Sequence, residues 1–145
     1  MPDVVAINAQ MTRTILDGPA QPLAEGGYAL RVLRSTGRRS GATRETPLGV
    51  LLLDGREYLV SPDPTRAWVH NLRAEPVAEI ASADGSVQVT AALAGPGETT
   101  AAVAAYLRAV TVPWALRAFP VGPDASVEEI AEHLDSLAVF RLEPR

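Results

Sequence analysis

The chain has 145 residues, of which 47% are hydrophobic and 21% are charged, and its formal net charge is −4. This length and this balance fit one folded domain with a sizeable core, and the overall acidity argues against a nucleic-acid-binding protein. Because cysteine is absent and His70 and His133 are the only histidines, we expect no disulfide, no thiolate chemistry and no metal site.

The first segment, residues 1–25, is predicted to be a helix and a connector. Apolar side chains recur there at the spacing of an amphipathic helix: Val4, Ile7, Met11 and Ile15. Gly18 supplies a stop signal. The segment opens with an acidic residue and carries polar residues throughout, which is not the pattern of a signal peptide. We therefore expect a cytoplasmic protein without an integral membrane segment, in which residues 26–145 form the main domain.

Strand patterns begin after the connector. Residues 28–35, "YALRVLRS", alternate apolar with smaller or polar side chains, as in a half-buried strand. Residues 46–54, "TPLGVLLLD", predict a strand that is buried on both faces. The dipeptide at Asp54 and Gly55 is a hairpin signal, so residues 56–61 should form the returning strand.

The second half of the chain mixes strands with short helices. Pro62 and Pro64 predict a loop before the helix "AWVHNLRA", while Ser126 and Glu129 form a capping box that opens a later helix, "VEEIAEHL". The other predicted elements are a second hairpin, a helix, an irregular stretch and a closing strand: residues 77–95, 97–110, 114–124 and 138–144. Together these elements predict an antiparallel sheet of about six strands that closes on itself, with three or four helices outside it.

The turn between the first two strands, residues 37–44, is called the arginine turn below. Gly37 and Gly41 allow turn conformations that expose backbone N–H groups. Hydroxyl and guanidinium donors surround them: Thr36, Ser40, Arg38, Arg39 and Arg44. Guanidinium groups pair with phosphate and carboxylate in a bidentate way, so the turn suits such an anion. A solvated turn that carries surface arginines is the alternative interpretation.

A second candidate site is the segment "SPDPTRAWVHNL". A proline-stiffened loop that runs into a helix leaves the amides of the first helical turn free for an anionic or carbonyl ligand. Ser61 is a candidate donor at the start of the loop, Asn71 is a candidate polar contact, and Trp68 is expected to face the core. No nucleophile elbow or cysteine nucleophile is present, so an enzyme with this sequence would take its reactivity from an organic cofactor.

The order of these segments resembles a known family. "TGRRSGATRETPL", then "DGREYLVS", then "WVHNLRAEP" is similar to the deazaflavin-dependent nitroreductase family, and the tail "AVFRLEP" resembles its closing strand. The resemblance runs from about residue 28 to the C-terminus. Members of that family are split β-barrel oxidoreductases, typical of actinobacteria, that use the 8-hydroxy-5-deazaflavin coenzyme F420. The resemblance implies hydride transfer from the reduced deazaflavin to a small electron-poor acceptor such as a quinone, an enone or a nitro compound.

The resemblance also implies roles for particular residues. The coenzyme carries a phosphate and an oligoglutamate tail, which would be bound by the arginine turn through Arg38, Arg39, Ser40 and Arg44. The ring pocket would be lined by Thr46, Pro47 and Leu48, and the loop that begins at Ser61 would contact the ring. Trp68 and Asn71 would hold that loop and its helix. Tyr106 is the one tyrosine in the C-terminal helical region and the candidate catalytic residue.

Two other functions remain open from the sequence alone. One is an oxidoreductase on the same barrel that binds FMN, although FMN carries one phosphate and needs fewer cations than the turn offers. The other is a non-catalytic barrel that binds a lipid, a flavin or another anion. Related barrels often dimerise, so a homodimer is possible, and the N-terminal helix would then lie either over the pocket or against a partner.

Overall fold

Six antiparallel strands close into a barrel in the computed structural model, which describes residues 4–145. The first three residues of the expected N-terminal segment lie outside the described part. The strands follow one another around the barrel in the order β1-β2-β3-β6-β5-β4, and β4 pairs back onto β1. Their bounds are Tyr28–Thr36 (β1), Thr43–Leu53 (β2), Arg56–Ser61 (β3), Val77–Ser82 (β4), Gly85–Leu93 (β5) and Ala138–Pro144 (β6). The predicted split-barrel fold class is confirmed.

The β2–β3 hairpin forms where the sequence predicted it. Asp54 and Gly55 both have positive φ, 53° and 75°, as the tight turn between two twisted strands requires. The prediction that β2 is buried on both faces was wrong for most of its length, since only Val50 and Leu51 are fully buried. Val50 belongs to the interior core, and Leu51, on the opposite face, packs under the helices of the second half.

The apolar core lies on both sides of the barrel wall. One cluster fills the interior and one end of the barrel, and it includes Leu33, Leu59, Trp68, Leu72 and Phe140. The other cluster lies outside β2, β3 and β6, under the helices of the second half, and it includes Leu51, Val103, Leu107, Ile130 and Val139. Burial of these aliphatic and aromatic side chains supplies the main stabilisation, at about 25 cal/mol per Å² of apolar surface.

Five α-helices surround the barrel within residues 4–145, which is more than the three or four predicted. Their bounds are Val4–Asp17 (α1), Ala67–Ala74 (α2), Pro96–Ala109 (α3), Pro113–Arg117 (α4) and Val127–Ala131 (α5), and a 3₁₀ helix spans Leu134–Ser136. The stretch expected to be irregular, residues 114–124, begins inside α4, because the proline just before it favours helix entry. The capping box at Ser126 and Glu129 is confirmed, although α5 ends earlier than predicted. In the described residues no helix is long and apolar enough to span a membrane.

Helix α1 packs on the outside of β1 and β2. The helix itself is confirmed, but its predicted apolar stripe does not form the buried face. Thr12 is only 6% exposed, whereas Ile7 is 41% exposed and Met11 and Ile15 are half-buried. The reason is that α1 is docked through the neighbouring face, which carries Thr12 and borders a surface cleft.

Candidate functional site

A cleft of about 670 Å³ opens between α1, the arginine turn and the start of α2. We call it the arginine cleft. The arginine turn and β2 contribute Gly37, Arg38, Arg39, Ser40, Arg44, Glu45 and Thr46 to its lining. Helix α1 contributes Val5, Asn8, Ala9, Thr12 and Arg13, and α2 contributes Ala67, Trp68 and Asn71. Two segments that the sequence singled out separately, the turn and the start of α2, therefore meet at one site.

The two glycines of the arginine turn have different structural roles. Gly41 has a φ of +71°, in the left-handed region that favours glycine. Gly37 has little room for a side chain, because a Cβ atom there would lie 2.9 Å from Oγ of Ser40 and 3.2 Å from the backbone carbonyl oxygen of Ala42. The turn is closed by hydrogen bonds from Gly37 N–H to the Ala42 carbonyl, at 2.7 Å, and from Gly41 N–H to the Gly37 carbonyl, at 2.8 Å. It is therefore a compact, internally bonded structure.

Asn71 connects α2 to the arginine turn. Its side chain is only 5% exposed, and its Oδ1 atom accepts hydrogen bonds from the backbone N–H and from Nη1 of Arg38, each at 3.1 Å. The sequence predicted a polar residue that holds the loop and its helix. In the structure Asn71 instead holds the turn against the helix, which fixes the position of the Arg38 guanidinium at the cleft.

Several backbone donors at the cleft have no hydrogen-bond partner among residues 4–145. In the arginine turn these are the N–H groups of Arg39 and Ser40. At the start of α2 they are the N–H groups of Ala67 and Trp68, because Arg66 occupies the N-cap position and provides no side-chain cap. Free N–H groups at a turn and at a helix N-terminus favour an anionic ligand.

The charge of the cleft is dominated by arginine. Each guanidinium that lines it is exposed, and none has a carboxylate partner within the described range: Arg13, Arg38, Arg39 and Arg44. Glu45 also lines the cleft, but its Oε2 accepts a hydrogen bond from Nε of Arg34 at 3.0 Å. The cleft therefore carries an excess of positive charge in a protein whose net charge is −4.

Three of the predicted contact residues do not line the arginine cleft. Pro47 lies half-buried on β2 opposite Val32, and the side chain of Leu48 packs against the interior core cluster. Ser61 is fully buried, and its hydroxyl donates to the Asp63 carbonyl at 2.7 Å and accepts from the Asp63 N–H at 3.2 Å. Ser61 thus fixes the start of the loop that leads into α2. Trp68 borders the cleft, but its ring packs on Phe140 with centroids 6.1 Å apart.

Tyr106 lies on α3 in a small aromatic group and is not one of the residues that line the arginine cleft. Its ring centroid is 6.0 Å from that of Tyr28 and 5.7 Å from that of Phe119. Burial raises the pKa of Tyr106, and no side-chain hydrogen bond to its hydroxyl is found among the described residues. The Tyr106 phenol therefore keeps its proton at neutral pH and has a free donor. Tyr28 also packs over Gly49 of β2, three residues along the strand from Thr46.

The sequence reasoning missed the contribution of α1. The residues of α1 that line the cleft recur at intervals of three and four, so they share one face of the helix. This face lies next to the predicted apolar stripe. Arg13 is the fourth guanidinium of the cleft and lies far in sequence from the arginine turn. The signal available was one arginine on a helix without other basic residues, and this does not by itself indicate a site.

Comparison with known proteins agrees with the fold and gives the family of the chain. A sequence profile of the F420H(2)-dependent quinone reductase family matches residues 8–127. The match begins inside α1, earlier than residue 28, and it ends before β6, so the closing strand lies outside it. A comparison with curated proteins gave no match.

Solved structures share the fold at low sequence identity. An F420-H2 dependent reductase (FDR-A) is 20% identical, with 85% of this chain and 99% of that chain covered and a TM-score of 0.51. A protein described as a domain-swapped dimer is 20% identical, with coverage of 96% and 95% and a TM-score of 0.51. A heme-binding protein from Mycobacterium smegmatis is 22% identical with a TM-score of 0.51, and the 98% of this chain that aligns spans only 51% of that protein.

The residues of the arginine cleft fit the coenzyme that the family uses. F420 presents a string of anionic groups, and the cleft presents guanidinium groups without carboxylate partners together with free N–H donors. The expected cofactor and reaction class are confirmed by the family match, which covers well over half of the chain. The chain belongs to the F420H(2)-dependent quinone reductase family and is an F420-dependent oxidoreductase.

Proposed function

We propose that the arginine cleft binds the phosphate and oligoglutamate tail of F420, and that the enzyme reduces a quinone-type acceptor. The observation that carries the tail site is the set of cleft arginines without carboxylate partners among residues 4–145. Elsewhere in the chain the partly buried Arg34 and Arg141 pair with Glu45 and Glu98, whereas the cleft arginines gather around one concave surface without such partners among residues 4–145. An unbalanced group of cations around a concave surface favours a polyanionic ligand.

Asn71 and the donors of the arginine turn have separate tasks in this proposal. Asn71 orients the Arg38 guanidinium toward the tail, which reduces the entropy that binding would otherwise cost. Arg39 and Ser40 add their free backbone N–H groups. The Ser40 oxygen accepts from the Ala42 N–H at 3.2 Å, so its own hydroxyl proton remains available for a ligand oxygen. Arg44 adds a further cation.

The ring of the coenzyme would lie next to β2. Thr46, which lines the cleft, and its neighbours Pro47 and Leu48 remain our proposed contacts for the ring. The loop that begins at Ser61 would border the ring through backbone and neighbouring side chains, because the Ser61 hydroxyl is already bonded within the loop. When bound, the reduced deazaflavin supplies the hydride that reduces the acceptor. Helices α1 and α2 form walls of the cleft that would keep water away from the bound coenzyme.

Tyr106 is our candidate for a catalytic residue. Its phenol is protonated at neutral pH, since the ordinary tyrosine pKa of 10.0 already lies above that range and burial raises the pKa further, and it has a free O–H donor. Such a group can donate a hydrogen bond or a proton to the oxygen of a quinone that is being reduced.

We further propose that the protein is cytoplasmic and forms a homodimer. A structural relative described as a domain-swapped dimer supports the homodimer.

Turnover of reduced F420 tests the proposal. Its oxidation would be followed by absorbance with a soluble naphthoquinone, a cyclic enone and a nitroaromatic compound in turn. We expect protein-dependent oxidation with the quinone, and a loss of about 10- to 100-fold in kcat/KM when Arg38→Ala and Arg39→Ala are combined. Arg108→Ala, an exposed arginine on α3 outside the cleft, is the matched control. F420 binding without turnover of any acceptor would instead favour a non-catalytic binding protein.

A further inference from the structure

Helix α1 presents one continuous face to the arginine cleft. The residues on this face change from apolar and neutral to cationic along the helix: Val5, Asn8, Ala9, Thr12 and Arg13. At 1.5 Å per residue they cover about 12 Å of the cleft wall. Thr12 is 6% exposed, so this side of the helix is held against the barrel. The face therefore forms a wall of the cleft that is anchored to the barrel at Thr12.

Arg13 faces the same cleft as the arginine turn, but it belongs to a different element. Its side chain is exposed and has no carboxylate partner among the residues that the structure describes. A single phosphate can be satisfied by the guanidinium and N–H groups of the arginine turn alone. A cation on the α1 wall offers a further contact to a ligand that carries a second anionic group beyond the one bound by the turn.

We propose that Arg13 is a tail-binding residue on the second wall of the cleft, and that it makes the cleft select ligands with several separated anionic groups over ligands with one phosphate. This inference rests on the proposed function and deepens it, because it assigns a specificity determinant outside the arginine turn. Selection arises because the α1 cation adds binding energy only for a ligand long enough to reach both walls.

Parallel titrations of F420 and FMN test this inference. Oxidised F420 with several glutamates would be titrated by fluorescence, and FMN in a second cell, against the unchanged protein, Arg13→Ala, Arg13→Lys and the control Arg108→Ala. We expect Arg13→Ala to weaken F420 binding about fivefold and to leave FMN binding unchanged, since one exposed charge-assisted contact is lost. Arg13→Lys should keep part of the affinity because it keeps the charge. Arg108→Ala should change neither ligand, and circular dichroism would verify that each variant is folded.

The outcomes separate this inference from the proposed function. If the unchanged protein binds F420 and Arg13→Ala binds it equally well, the role of Arg13 is overturned while the tail site in the arginine turn stands. If Arg13→Ala weakens FMN as much as F420, the selection for separated anionic groups is overturned. If the unchanged protein does not bind F420, the proposed function fails, and the role of Arg13 fails with it.

Discussion

Oδ1 of Asn71 accepts two hydrogen bonds from Arg38, one from the backbone N–H and one from the guanidinium, both at 3.1 Å. One buried amide thus fixes both the path of the arginine turn and the direction of one of its cations. The two residues are 33 positions apart in sequence, so the contact exists only when α2 is packed against the barrel. In the proposed tail site, ligand binding and the docking of α2 would therefore depend on the same side chain.

Asn71→Ala should reduce both stability and F420 affinity. The variant leaves the Arg38 N–H without its acceptor, which costs about 1 to 2 kcal/mol in the free energy of unfolding. Urea denaturation measures this loss, and fluorescence titration measures the affinity. Asn71→Asp is the informative comparison, because it keeps an acceptor but adds a negative charge beside Arg38. We expect it to recover stability while F420 binding stays weak; if both variants bind F420 normally, the arginine turn does not depend on Asn71.

Tyr106→Phe should slow turnover without weakening F420 binding. The change removes the free phenol donor and keeps the ring packed between Tyr28 and Phe119, at 6.0 Å and 5.7 Å. General acid catalysis typically contributes about 10²-fold or more, so we expect kcat to fall by at least about tenfold. The F420 dissociation constant and the thermal midpoint should remain unchanged. An unaltered kcat at every pH between 6 and 9 would show that Tyr106 takes no part in the reaction.

Gly49→Ala should disturb the aromatic group around Tyr106. A Cβ atom at Gly49 would lie 2.8 Å from Cδ2 of Tyr28, so the Tyr28 ring must move away. We expect a loss of about 1 to 3 kcal/mol in the free energy of unfolding, as is typical of overpacking. In a Tyr28→Ala background the same change should cost much less, and a double-mutant cycle by urea denaturation measures the difference. Additive costs would show that the two residues do not contact each other in solution.

Glu98 should make stability sensitive to acid. Burial opposes ionisation of this carboxyl, but hydrogen bonds from Tyr58 at 2.7 Å and from Arg141 at 2.9 Å outweigh it and lower its pKa. A carboxyl whose pKa is lowered by folding stabilises the protein fully above its unfolded pKa, and this stabilisation is lost as the pH falls through the folded value. The stability difference between the native protein and Glu98→Gln should therefore be constant at neutral pH and shrink below the ordinary glutamate pKa of 4.5.

Urea denaturation of both proteins between pH 7 and pH 3 measures this difference. Glu128→Gln is the matched control, because that glutamate is exposed and has no ion pair among residues 4–145. The control should follow the native protein at each pH. A difference between Glu98→Gln and the native protein that persists unchanged at pH 3 would contradict the assigned direction of the shift.

Local signals were sufficient to predict most of the barrel. The turn at Asp54 and Gly55 and the capping box at Ser126 and Glu129 act within a few residues, so the sequence specifies them directly. The arginine turn was also identifiable, because its glycines and cations are adjacent. From these features the strands could be predicted, together with the arginine turn that lines one side of the cleft.

The missing parts depend on contacts between distant segments. The surface of the barrel decides which face of α1 docks on it. As a result Thr12 is buried and Ile7 is exposed, although the spacing of the apolar residues predicted that Ile7 would face the core. The bond from Arg38 to Asn71 joins two elements that no local pattern links. The internal bonding of Ser61 follows from the path of the loop, which spacing alone does not give.

The most direct test of the F420 tail site is a titration of oxidised F420, followed by fluorescence, against the native protein and the Arg38→Ala, Arg39→Ala double variant. FMN in a parallel cell is the comparison ligand. We predict saturable, salt-sensitive binding of F420 to the native protein and a much larger loss of affinity for F420 than for FMN in the variant. Equal losses for the two ligands, or tighter binding of FMN by the native protein, would contradict the assignment of the arginine cleft to the F420 tail.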